Sequence, residues 1–203
     1  MATEAIVLRT YASGDKDLVV RVLSPTLGKI SLFAKSNRGG RRHGVLLEPL
    51  DRGVFDLNTR KGDLYTFRSF KPSSSSPLIR SSLNKLALAT CLCETLDALL
   101  PEDSGSDDTL YPTLINALEE LSQAKNLANE LKIAFIFLHQ TLSFSGFVDI
   151  SNISPSLKNF LALLNKIEVA SEKKLLSKSA VLDALKDFRN QASQAKASID
   201  SAS

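Results

Sequence analysis

The hydrophobic repeat of this chain changes period once, across Pro72-Ser-Ser-Ser-Ser-Pro77, and that switch limits the fold more than any other feature. Two prolines around four serines cannot continue a central strand. Before them apolar residues alternate, as in half-buried strands; after them they recur every three to four positions, as on helices. The pattern predicts an α+β chain in two parts: a β-rich unit over residues 1–71, a linker over 72–77 and an all-α unit over 78–203.

Five short strands are expected in the first part. Ala5–Thr10 and Leu18–Leu23 flank a turn at Gly14-Asp15, and Gly28 turns the chain into a third strand, Gly28–Lys35. A fourth over Arg52–Leu57 follows an interruption near Pro49, and Thr59–Gly62 closes a hairpin onto a fifth, Asp63–Lys71. Short strands without a long helix fit a small barrel. A five-stranded OB-fold β-barrel is the natural candidate, because antiparallel strands that close on themselves leave no edge. An SH3-like barrel stays open.

Helices are expected from Leu78 onward. Leu83, Leu86, Leu88, Leu92, Leu96 and Leu99 give the first its apolar stripe, ending before Pro101. Asp107 or Asp108 can cap a second through Leu121, and Asn126 or Asn129 can open a third that ends near Gly146. That third helix is apolar nearly all round between Ile133 and Leu142, which places it at the centre of the helical part. Ser154-Pro155 reads as the start of a fourth, and Val181, Leu182, Leu185 and Phe188 mark a fifth. The segment Gln191–Ser203 is small and polar and is expected to fray.

Charge separates the two parts more sharply than the total of +3 suggests. Residues 1–72 hold 13 Lys and Arg against 7 Asp and Glu, while the remainder holds 12 against 15. One half is therefore suited to a polyanion and the other to something else. The positive charge gathers in the stretch from Ser24 to Gly44, where a strand runs into Arg38, Gly39, Gly40, Arg41, Arg42 and His43. Neighbouring cations beside glycines cannot pack in a core without desolvated partners. They can reach phosphates, and the glycines let the backbone approach closely. The same run also reads as a solvated surface loop. The candidate nucleic-acid contacts are Lys29, Phe33, Lys35, Arg38, Arg41 and Arg42, joined by Arg60 and Lys61 in the hairpin. Phe33, Tyr65 and Phe67 could stack on bases or fill the core.

Constellations that would support catalysis are lacking. The chain has no Walker loop, no G-x-G-x-x-G, no G-x-S-x-G and no H-E-x-x-H, so a non-enzymatic binder is expected. Cys91 and Cys93 are one residue apart, which suits neither a zinc site nor a disulfide. Neither metal nor cofactor is expected, and two reduced cysteines fit a cytoplasmic protein. The longest apolar run, Ile133–Leu138, is far short of the roughly 20 residues of a bilayer span. Of the two histidines, His139 lies within the apolar third helix.

The N-terminal run resembles the RecO family of bacterial recombination mediators. The residues that carry the resemblance are Ala5-Ile-Val-Leu-Arg-Thr10, Gly14-Asp-Lys-Asp17, Leu27-Gly-Lys-Ile30, Ala34-Lys35, the arginines at 38, 41 and 42, Leu47-Glu-Pro-Leu50 and Gly62-Asp-Leu-Tyr-Thr66. Beyond Pro77 the similarity is one of pattern, with Glu-Thr-Leu-Asp at 94–97 and Leu-Pro at 100–101. The resemblance implies an OB domain, a helical domain and a non-catalytic role in recombinational DNA repair. It further implies binding to single- and double-stranded DNA, annealing of complementary strands, and loading of RecA together with RecR at the nucleoid. A docking site on the helical domain for the acidic C-terminal tail of single-stranded-DNA-binding protein is also implied. Lys132, Phe135 and His139, spaced three and four apart on the third helix, are the residues assigned to that tail. Two departures stand out: Ser36 replaces the family's usual glycine, and the cysteines that many members use for zinc are missing. An RNA-binding OB protein and an interaction scaffold are the alternative functions.

Overall fold

The computed structural model describes residues 1–13, 17–34, 47–59, 65–73, 77–106, 108–147, 155–186 and 190. Strands β1 (Ala2–Ser13), β2 (Asp17–Ser24), β3 (Gly28–Ala34), β4 (Arg52–Thr59) and β5 (Tyr65–Pro72) close into a barrel in the order β1-β2-β3-β5-β4. Neighbours are antiparallel except β3 and β5, which run parallel through Leu32↔Tyr65 and Phe33↔Thr66. This is the OB-fold, and it removes the SH3-like alternative. Alternating positions supply the interior, including Val7, Val20, Val22, Ile30, Leu32, Phe55 and Leu57.

Strand β1 breaks its alternation once. Its register with β2 slips between Val7 and Arg9, which makes Leu8 the extra residue of a bulge. Val7 stays inside the barrel, whereas Ile6 and Leu8 pack with the helices. Beyond the slip, Arg9 and Tyr11 also reach the first long helix. The bulge thus brings Arg9 and Tyr11 to the side already taken by Ile6 and Leu8, so four positions of one strand face the helical part.

The helices are α1 (Pro77–Arg80), α2 (Leu83–Leu99), α3 (Leu110–Gln123), α4 (Leu127–Phe144) and α5 (Leu157–Ser171), with residues 178–186 helical after them. Ser82 and Asn126 cap α2 and α4 by accepting from Lys85 N and Asn129 N. Two starts differ from the sequence reading. Thr109 rather than an aspartate opens α3, with no side-chain bond. Ser156 opens α5, its hydroxyl accepting from Asn159 N at 3.2 Å, while Ser154 lies outside the described residues. Helix α4 packs against α2, α3 and α5, as its composition requires, yet one flank stays open and leaves Ile136 40% exposed. Phe188 and the segment 191–203 lie outside the described residues.

Barrel and helices are also joined at the turn Leu47–Leu50. Leu47 enters the barrel core, while Leu50, at φ 75°, turns its side chain to the helical cluster. A left-handed leucine is strained, and tertiary contacts must hold it there. Arg80 supplies part of that hold by donating to Glu48, the Pro49 carbonyl and Asp51.

Gly28 makes a close main-chain contact between the two parts. It sits at φ 68°, and a Cβ there would lie 2.0 Å from the Gly105 carbonyl oxygen. Alanine would carry both a left-handed backbone and a clash against main chain. We expect Gly28→Ala to lower the unfolding free energy by about 3 kcal/mol in urea denaturation.

Candidate nucleic-acid interface

The outer face of β3 presents Lys29, Ser31 and Phe33, but these three residues meet different surroundings. Lys29 is only 2% exposed. Its Nζ donates to the Asp97 carbonyl at 2.9 Å and lies 3.9 Å from both Asp97 Oδ1 and Glu102 Oε1. Burial pushes its ammonium below the ordinary lysine range, against the pull of Asp97 and Glu102. The assignment of Lys29 to nucleic acid is corrected: α2 and the chain after it cover the lysine and satisfy it. Ser31 donates to Glu102 at 3.0 Å. Phe33 is half-buried, in register with Val19 of β2 and Thr66 of β5.

Tyr65 is half-buried and packs against the barrel core. Lys35, Arg38, Arg41, Arg42, Arg60 and Lys61 lie outside the described residues, as does the side chain of Phe67. The chain enters the first basic stretch from the end of β3 and the second from the end of β4.

Beside this face lies a seam of buried charge. Asp97, 1% exposed, accepts from Arg21 Nη1 at 3.1 Å and from Tyr11 Oη at 3.0 Å. Arg21 Nε is 2.9 Å from Glu102 Oε1. The guanidinium carbons of Arg9 and Arg21 each stand 4.9 Å from the Tyr11 ring centroid. Burial and the Asp97 carboxylate push the Tyr11 phenol above its ordinary range. Glu94 accepts from Arg9 Nη1 at 3.3 Å, and its oxygens also take Leu176 N, Ser177 N and Ser177 Oγ. One acidic helix face therefore gathers three strands of the barrel and the start of the last helical run.

Residues 1–76 match the family model described as "Recombination protein O N terminal", and residues 80–148 match "Recombination protein O C terminal". The chain belongs to the recombination protein O (RecO) family. Its relatives include the DNA repair protein RecO of Desulfatibacillum aliphaticivorans, 28% identical over 83% of this chain and 63% of that protein. That of Bifidobacterium animalis subsp. lactis is 30% identical over 70% of this chain and 59% of that protein. For Pelobacter propionicus the figures are 34%, 49% and 41%. The chain thus spans less than two thirds of the length of each of these relatives.

The Glu-Thr-Leu-Asp run at 94–97 acquires a physical meaning here, since its two carboxylates are the hub of the seam. Read strand by strand, the sequence does not pair Arg9 and Arg21 with Glu94 and Asp97; the signal for it is two carboxylates three apart in a mostly apolar helix stretch, which demand buried cationic partners. Cys91 and Cys93 are buried and unbridged, and burial pushes the Cys91 thiol up to about 12 and Cys93 up as well. On α4 the structure separates the proposed tail residues. Lys132 is exposed, whereas Phe135 is 3% exposed and stacks on His139 with ring centroids 6.2 Å apart. Phe135 cannot floor a pocket beneath Lys132, because its ring belongs to the core. A groove of about 250 Å³ lies instead between α3 and α4, lined by Ile133, Ile136, Phe137, Ala117 and Glu120 among others.

Removing the Asp97 charge takes the carboxylate from Arg21 and leaves the buried Lys29 with its main-chain acceptor but a weaker counter-charge. We expect Asp97→Asn to cost about 3 kcal/mol of stability. Adding Lys29→Met to that variant should restore part of the loss, read as a coupling energy in a double-mutant cycle.

Proposed function

We propose that this chain is a non-catalytic recombination mediator that binds single- and double-stranded DNA and anneals complementary strands during DNA repair. The observation that carries this reading is the family match over a closed OB barrel whose β3 leads straight into the basic stretch Lys35–Arg42. Cations that neutralise phosphates release counterions and bind without regard to sequence. Annealing needs that indifference, because both strands must be held by their backbones while the bases stay free to pair. Phe33, on the outer face beside Val19 and Thr66, is the candidate stacking ring. Arg60 and Lys61, next in sequence after β4, are the further candidate cations.

The loop arginines supply the test. With Arg38, Arg41 and Arg42 changed together to Ala, affinity should fall on every sequence. The slope of log K against log salt should shrink by roughly 2–3 units on duplex DNA. An unchanged slope would make the stretch a solvated loop. Stronger binding to RNA than to DNA of one sequence would favour the RNA-binding alternative.

The partners that go with this reading are RecR, RecA through RecR, and the acidic tail of single-stranded-DNA-binding protein. Lys132 remains the candidate cation for the tail, with Ile136, one turn along the exposed flank of α4, taking over the apolar contact from Phe135. Titration of a labelled tail peptide should show at least tenfold weaker binding to Lys132→Glu, about 1.4 kcal/mol. Equal binding would move the site elsewhere.

A further inference from the structure

We propose that β5 carries a second phosphate-contacting track, formed by Arg68 and Lys71 on the outer wall of the barrel. The inference rests on the DNA-binding reading above and extends it to a strand outside the basic stretch.

Charge pairing over the described strands singles out this one. Arg9, Arg21 and Lys29 are consumed by the acidic seam, and Arg52 lies 2.9 Å from Glu4 and 3.5 Å from Glu119. Arg68 and Lys71 are exposed and make no ion pair among the described residues. The carboxylates on the nearby outer wall are already engaged. Asp56, opposite Ser69, lies 3.9 Å from the amino terminus, and Glu4, one strand beyond Val54, is held by Arg52. Positive charge on β5 is therefore left uncompensated.

The backbone fixes where that charge stands. Asp56 pairs with Ser69 and Leu57 with Phe67, so Arg68 is the extra residue of a bulge, a device that re-aims a side chain. Gly53 lets β5 lie close on β4, since a Cβ there would come 2.3 Å from the Lys71 carbonyl oxygen. Thr66, two residues before Arg68, is in register with Phe33. The outer wall thus runs from an aromatic ring through a hydroxyl to two cations about 10 Å apart along the strand. A phosphate that meets these cations breaks no existing ion pair. It also orders no loop, which removes a common cost of binding. An extended chain of phosphates suits such a flat row of point charges.

The test uses the full chain and a fluorescent oligo-dT probe, titrated across a salt series, with Arg68→Gln Lys71→Gln as the variant. Its slope of log K against log salt should be smaller than wild type by about 1.4 units, two phosphates on a single strand. The loss should add to that of the Arg38, Arg41 and Arg42 triple variant. The swap Arg68→Lys Lys71→Arg keeps the charge count and should keep the wild-type slope, which separates charge from folding. If wild type binds the probe, the triple variant weakens it and the β5 variant matches wild type, the β5 track is overturned and the DNA-binding reading stands. No salt-dependent binding by wild type overturns both. If the β5 variant loses polyglutamate but keeps oligo-dT, the surface takes an acidic protein, and the proposal is again overturned.

Discussion

Asp97 is the residue on which the arrangement of barrel and helices depends. It is almost fully buried, and its carboxylate and main-chain carbonyl together engage Arg21, Tyr11 and Lys29. A buried ion pair gains little over a well-packed apolar contact, because desolvation offsets most of the attraction. What it adds is selectivity. An apolar seam would tolerate sliding of α2 across the barrel, whereas two aspartate oxygens and one carbonyl accept their donors in few geometries. The Leu47–Leu50 turn and its Arg80 clamp repeat the principle on another side of the barrel, with a strained leucine held by hydrogen bonds to its neighbours.

Much of the architecture is legible in the sequence because it is local. Period-two alternation marks the barrel interior, Gly28 marks a turn whose φ no other residue tolerates well, and the Leu and Ala spacing marks α2 within a residue of its ends. The fate of Lys29 is not legible, because the acceptor of its ammonium lies 68 residues away. On a strand seen alone, an outward lysine is a solvent lysine. Strand parity misleads in β1 for a related reason: the extra residue at Leu8 puts two successive side chains on one side, and nothing in Ile-Val-Leu-Arg announces it.

The spacing on α4 shows the same limit from the other direction. Lys132, Phe135 and His139 do share a helical face by arithmetic, but a face is wider than the boundary between core and solvent. Three neighbouring helices set that boundary between Lys132 and Phe135. Amphipathic periodicity can say that a boundary exists; packing decides which residue stands on which side.

The Glu94 junction has a consequence for how the molecule would handle two ligands at once. Since one carboxylate ties α2 to β1 and to the last helical run, the barrel wall and the helical surface are held in a fixed mutual position. A ligand captured on the helices is then confined to a small volume beside the barrel, and its second encounter becomes intramolecular. Effective concentration, set by the rigidity of a tether, can raise the combined strength of two modest contacts by orders of magnitude without improving either. The seam acts as a short, stiff linker with no chain of its own.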